Sequence, residues 1–205
     1  MSDSQIQFYM NPQSRAKIVR WMLEELGQPY EIHQIEYGDA MKSPSYLAVN
    51  PMGKVPAIVH KGKIVTECAA ICCYLAEAFP SAKLLPSETE RADYYRWLFF
   101  AAGPLEAAVT NKTLGFEVPK ERERMAGYGT YDLAMETLAK ALSENDYIAG
   151  DRFTAADVYV GSHVIWGVQF KTMPDKDEFH AYMNRLIGRA AYQRANELDD
   201  ALIEA

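Results

Sequence analysis

The chain has 205 residues, 49% of them hydrophobic and 24% charged, with a formal net charge of −7. This is ordinary globular composition, long enough for one large domain or two small ones with a proper core. The acidic balance argues against nucleic acid or an anionic membrane surface as partner, and no apolar run approaches the roughly 20 residues that span a bilayer.

Met1 to Gln5 is polar, without the cationic and apolar regions of a secretory leader, so a cytoplasmic location is expected. Ile6 to Met10 reads as a short strand closed by Asn11-Pro12. Ser14 can cap a helix through Leu26, with Ile18, Val19, Met22, Leu23 and Leu26 at helical spacing and Gly27 as its stop. A strand follows near Tyr30 to Ile35, then a short helix at Ser43 to Leu47 with proline in its first turn. Ala57-Ile58-Val59 and Lys63-Ile64-Val65 flank Lys61-Gly62 as a hairpin. Glu67 to Phe79 is a helix ended by Pro80.

Past a linker at Ala82 to Pro86 the strand signal fades. Ser87-x-x-Glu90 has the form of a capping box. Long helical patterns then cover Glu88 to about Val109, Pro119 to about Leu142 and Thr154 to about Phe170, with shorter ones at Asp177 to Gly188 and Ala190 to Leu202. Thr154 stands three residues before Asp157 within an apolar run, which fits either a box nucleating a buried helix or a surface cap. The expected division is a small α/β domain over residues 1–81 and an all-helical domain over 87–205.

The three cysteines, Cys68, Cys72 and Cys73, form no C-x-x-C pair and no four-ligand zinc spacing, so no metal is expected. Cys72 and Cys73 read as buried packing residues. Cys68 falls at a helix start, where a thiol is more reactive than usual.

The run Asn50-Pro51-Met52-Gly53-Lys54-Val55-Pro56 carries the strongest functional signal. Pro56 has a fixed φ and no N–H, and it pushes Val55 towards extended geometry. Val55 thereby keeps an N–H and a C=O that can pair with a ligand backbone as in strand addition, although the dipeptide also fits a plain turn feeding a strand. The Thr66-Glu67-Cys68 turn offers free helical N–H groups to a ligand carboxylate, and Glu67 can take a ligand ammonium.

With these residues in hand, the chain resembles the cytosolic glutathione transferases, with the active-site loop of bacterial-type serine or asparagine members. The resemblance spans essentially the whole length. It rests on SRAKIVRWMLEELG, KSPSYLAVNPMGKVPAI, TECAAICCYLAEAFP and FTAADVYVG. It implies a thioredoxin-like N-terminal domain that holds glutathione, a helical domain with the pocket for a small hydrophobic electrophile, and a homodimer. The implied activity is detoxifying transfer of glutathione's sulfur to the electrophile, or glutathione-dependent reduction of a peroxide or disulfide. A non-catalytic binding or regulatory protein of the same architecture is the alternative. A dithiol oxidoreductase is disfavoured, because the loop after the first strand has no cysteine.

By the same resemblance, Val55 pairs with the cysteinyl backbone of glutathione and Pro56 is the family's cis-proline. Glu67 and Cys68 receive the γ-glutamyl end, with cysteine replacing the usual serine. Lys42 and Lys54 fall near the glycyl carboxylate, each also readable as a solvated charge, Lys54 less so, and Met41 takes a position that is often polar. The chemistry needs a thiolate, and a free thiol with a pKa near ~8.5 is only slightly ionised at neutral pH. The donor that stabilises it is expected in the loop Tyr9 to Arg15. Asn11 ranks first there, Ser14 second (or a plain helix cap) and Tyr9 third, being more suited to packing. Arg15 stands where one bacterial class carries a cysteine. Tyr95, Phe99 and Trp166 are candidates for the co-substrate wall or for plain core.

Overall fold

The computed structural model describes residues 5–204; the polar lead-in read at residues 1–4 lies outside them. Packing groups the chain into two compact units, Met1–Leu85 with Gly188–Ala205, and Pro86–Ile187.

In the first unit, β1 (Ile6–Met10) leads to α1 (Ala16–Leu26) and β2 (Tyr30–Gln34). A single 3-10 turn (Asp39–Lys42) and α2 (Pro44–Leu47) connect to β3 (Ala57–His60), β4 (Lys63–Thr66) and α3 (Cys68–Ala78). The sheet order is β2-β1-β3-β4, with β1 parallel to β2 and antiparallel to β3, and β3 antiparallel to β4. This mixed sheet with its helices is the expected thioredoxin-like arrangement. Alternation in β1 buries Ile6, Phe8 and Met10, and α1 buries the apolar stripe read from the sequence. Gly27 ends that helix at φ 62, its N–H bonded to the Leu23 and Glu24 carbonyls, as a left-handed cap requires. Lys61 and Gly62 both have positive φ, the twist that a two-residue hairpin favours.

Packing groups the C-terminal residues from Gly188 with the first unit. α9 (Ala190–Ile203) belongs with the first unit. Arg20, 1% exposed, donates through Nε to Asp199 at 3.0 Å and through Nη1 to the Tyr30 hydroxyl at 2.9 Å. Arg189 and Arg194 bond to Glu25 and Glu24 at 2.6 and 2.8 Å, and Trp21 meets Tyr192 edge to face. These charges look like solvated faces in the sequence. Only the fold reveals that they join α1 to a helix more than 160 positions away.

In the second unit, α4 (Arg91–Phe100) and α5 (Glu106–Thr113) together make up the long helix expected over 88–109. A π-helical turn at Ala101–Leu105 joins them and contains Pro104, which lacks the N–H that would continue the α pattern. The helix expected from Pro119 begins only at Tyr131. Lys120–Met125 is 3-10 helical, Gly129 has φ 64, and Thr130 caps α6 (Tyr131–Glu144) by accepting the Leu133 N–H. α7 (Ala155–Gln169) and α8 (Asp177–Ile187) follow the sequence reading. α7 is apolar nearly all round and buries eleven residues, as the central helix of a bundle does. Its capping box is internal: Asp157 is 0% exposed. It accepts from the Ile148 N–H, the Tyr182 hydroxyl and the Thr154 N–H at 2.7, 2.7 and 2.8 Å. Among the described residues, no helix is long and apolar enough to cross a membrane.

Candidate functional site

Strand register assembles the site. Tyr9 pairs with Ala57, and Ala57 with Thr66. β1 therefore runs out into Asn11–Arg15 at the end of the sheet where β3 emerges from Val55–Pro56 and β4 passes into Glu67–Cys68. Three segments distant in sequence meet there. A direct contact joins two of them, with the Cys68 thiol 3.6 Å from the Arg15 carbonyl.

The Val55–Pro56 peptide bond is cis. Pro56 is buried and Val55 half-buried, so the edge is held from one side and open on the other. Glu67 is exposed at φ 67, ψ 119. A non-glycine residue in that region costs of order 1–3 kcal/mol, and such strain gathers at ligand sites. Its carbonyl accepts the Ile71 N–H at 2.8 Å, which starts α3. Nothing in the local sequence shows this backbone state.

In the turn before Val55 the carbonyls of Met52, Gly53 and Lys54 are each braced. Lys42 Nζ donates to the Met52 and Gly53 carbonyls at 3.0 and 3.2 Å. The Lys54 carbonyl accepts from the Tyr46 hydroxyl at 2.6 Å and the Asn50 amide at 2.8 Å. Burial holds the Tyr46 hydroxyl up at about 12, so it stays a donor. Gly53 sits at φ 56, and a Cβ there would lie 2.5 Å from the Met41 carbonyl. Sequence reasoning missed Tyr46 and Asn50 as braces; their only signal was their place in the run ending at Val55. Lys54 itself is exposed and Met41 is buried.

In the loop after β1, Asn11 is 4% exposed. Its amide donates to the Ile35 carbonyl at 3.1 Å and its oxygen accepts the Gln13 N–H at 3.0 Å. Ser14 is half-buried; its hydroxyl donates to the Asn11 carbonyl at 2.7 Å and accepts the Ala16 N–H at 3.0 Å. The hydroxyl is thus part of the start of α1, yet it is a rotor that can redirect its proton. Tyr9 stacks on His33 at 4.6 Å and bonds to Gln7; burial, then Glu31, pushes its hydroxyl up. It packs on the sheet. Cys72 is fully buried, which raises its thiol well above the ordinary range and leaves it inert. In the second unit Tyr95 and Phe99 are exposed and Trp166 half-buried. A cavity of about 220 Å³ in that unit is lined by other residues, Phe116, Tyr128 and Tyr131 among them.

This is a thioredoxin-like domain followed by helices, with a peptide edge, a cis-proline and an acidic helix start at one end of its sheet. Residues 14–78 match the family described as the glutathione S-transferase N-terminal domain. Glutathione S-transferase 3 of Schizosaccharomyces pombe is 34% identical over 163 residues, covering 70% of this chain and 66% of that protein. Glutathione S-transferase GstA of Escherichia coli O157:H7 is 30% identical over 166 residues, covering 79% of each. Among solved structures, a glutathione transferase family member from Pseudomonas fluorescens Pf-5 with two glutathione bound aligns with a TM-score of 0.72 at 28% identity. It covers 96% of this chain and 94% of that one. The chain belongs to the glutathione S-transferase family.

Proposed function

We propose that this protein is a glutathione transferase that activates the thiol of glutathione for attack on a small hydrophobic electrophile. The observation that carries the reading is the line Tyr9–Ala57–Thr66, which brings the sulfur loop, the Val55 edge and the Glu67–Cys68 helix start to one end of the sheet. Val55 pairs with the cysteinyl backbone, Pro56 holds it, and Glu67 with the Cys68 N–H takes the γ-glutamyl end. That alignment leaves the thiol towards the Asn11–Ser14 loop and the N-terminus of α1. There a donor and the positive end of a helix lower its pKa. The thiolate forms a C–S bond, the leaving group departs with its electron pair, and the thiol proton goes to solvent. When the second substrate is a peroxide or disulfide, the same thiolate attacks oxygen or sulfur and breaks the O–O or S–S bond, expelling alkoxide or thiolate, and a second glutathione then yields glutathione disulfide.

Ser14 stands ahead of Asn11 as sulfur donor, because Asn11 is buried with its amide donating to the Ile35 carbonyl. We place the protein in the cytoplasm, where glutathione is kept reduced, and as a homodimer. A non-catalytic binding role is the second reading, favoured by one observation: both loop side chains already have protein partners, Asn11 the Ile35 carbonyl and Ser14 the Asn11 carbonyl. Titrating glutathione into the purified protein and following thiolate absorbance against pH separates the two. Saturable binding with a thiol pKa below that of free glutathione is expected. Binding without the shift leaves a ligand-holding role, and no binding overturns the transferase reading and favours a non-catalytic regulatory protein of the same architecture.

A further inference from the structure

The second unit holds a cavity of about 220 Å³ among α5, the loop that follows it and the start of α6. The local sequence builds its walls. Ala108 and Lys112 stand one turn apart on α5 and so share a face. Gly115, at φ 75, ends that helix. Its N–H bonds to the Lys112 carbonyl at 3.2 Å and the Phe116 N–H to the Asn111 carbonyl at 2.8 Å, the paired bonds of a Schellman cap. Such a cap often packs the residue after the glycine against the helix, yet Phe116 is 65% exposed and borders the cavity. Phe116, Tyr128 and Tyr131 give it three aromatic walls. Two side-chain donors on the lining are left for a ligand. The Lys112 ammonium lies over the Tyr131 ring, 5.6 Å from the centroid, and among the described residues pairs with no carboxylate. The Tyr128 hydroxyl accepts from the Asn111 amide at 3.0 Å, which leaves its own proton to donate. The Tyr131 hydroxyl is spent on the Thr172 carbonyl at 2.8 Å. Glu117, exposed, brings a carboxylate to the lining.

We propose that this cavity binds a small aromatic carboxylate, its ring among Phe116, Tyr128 and Tyr131 and its carboxylate held by the Lys112 ammonium and the Tyr128 hydroxyl. The inference is separate from the glutathione reading. The lining includes no residue of the peptide site and none of Tyr95, Phe99 and Trp166. Being smaller than the roughly 300–1,000 Å³ of drug-sized sites, the cavity suits one substituted ring. Its walls favour an aromatic ligand, because rings packed edge to face or offset on rings gain more than the area they bury. Its cation favours an anion. An exposed ammonium over a ring is weakly held, whereas a carboxylate gives it a charge-assisted bond about twice as strong as a neutral one. Glu117 opposes an anion, which gives the charge a testable sign: removing that carboxylate strengthens the binding of an acid and would weaken that of a cation.

The probe is 4-fluorobenzoate, with uncharged 4-fluorobenzamide as its control, titrated into the full chain and followed by fluorine NMR with and without saturating glutathione. The acid is expected to bind with a Kd of about a millimolar or below, as its few heavy atoms allow. It should bind about tenfold more tightly than the amide, with glutathione leaving both unmoved. Lys112→Met, which keeps the apolar stem, is expected to weaken the acid about tenfold, to the level of the amide, and to leave the amide unchanged. Tyr128→Phe should weaken the acid in the same direction by a smaller factor. Phe116→Ala should weaken both ligands, and Glu117→Gln should tighten the acid alone. No binding of the acid by the wild type, equal affinity for acid and amide, or unchanged affinity in Lys112→Met would each overturn the proposal. Displacement of the acid by glutathione, or weaker binding of the acid in Glu117→Gln, would overturn it too. Thermal unfolding of each variant separates a lost contact from a lost fold. Lys112 and Phe116 are both exposed, so their variants are expected to fold as the wild type does.

Discussion

Asp157→Ala is the sharpest stability test of the helical unit. The carboxylate is fully buried and accepts from Ile148 N–H, Tyr182 hydroxyl, Thr154 N–H and, at 3.1 Å, the Thr154 hydroxyl. Burial pushes its carboxyl up, and the bonds from Ile148, Tyr182 and Thr154 oppose that. Each of these partners presents a donor, which suits an ionised group whose oxygens are fully used. Truncation strands at least three buried donors at about 1–3 kcal/mol each, partly offset because a buried charge is also removed. The net cost is about 4 kcal/mol, or roughly 8–16 °C in Tm for a chain of this size. Tyr182→Phe removes one bond to that charged group and costs about 2 kcal/mol. Thermal and denaturant unfolding of the whole chain, wild type against both variants, reads the difference. If Asp157→Ala cost no more than Tyr182→Phe, the carboxylate would not be the node that joins Ile148, α7 and α8.

Ser14→Ala is expected to raise the bound thiol pKa and slow conjugation about 10²-fold, as for one anion-stabilising donor. Asn11→Ala should lower Tm by loosening the loop; a thiol pKa that moves in Asn11→Ala and not in Ser14→Ala would reverse the two roles. Burial pushes the Asp199 carboxyl up to about 6 against the pull of Arg20 and Lys17, from about 3.9 in the unfolded chain. The folded state thus holds the proton more tightly. Its stabilising contribution is complete below pH about 4 and is lost as pH rises through 6. Asp199→Asn should accordingly flatten the stability–pH profile between those values, and parallel profiles would refute the assignment.

Much of the first unit was legible because its signals are local. Alternation marked β1, helical spacing marked α1, Lys61-Gly62 marked the hairpin, and Val55-Pro56 marked a constrained edge before any partner was known. Thr154 and Asp157 announced a cap, since a capping box involves residues three apart. The π-helical turn at Pro104 and the break at Gly129 were written in the chain but outweighed by the apolar period around them. The site was legible as a set of residue types and only partly as roles. Asn11 promised a free amide, and only the packing of Ile35 against β1 showed where that amide goes. Lys42 promised a charge for a ligand, but its ammonium rests on carbonyls ten and eleven residues on. Asp157 as a node, the burial of Arg20 and the attachment of α9 to α1 depend on contacts between distant segments. Local sequence determines which conformations a segment prefers. Which donor meets which acceptor is decided when the chain closes, because a buried polar group is tolerated only with a partner and that partner comes from the tertiary fold.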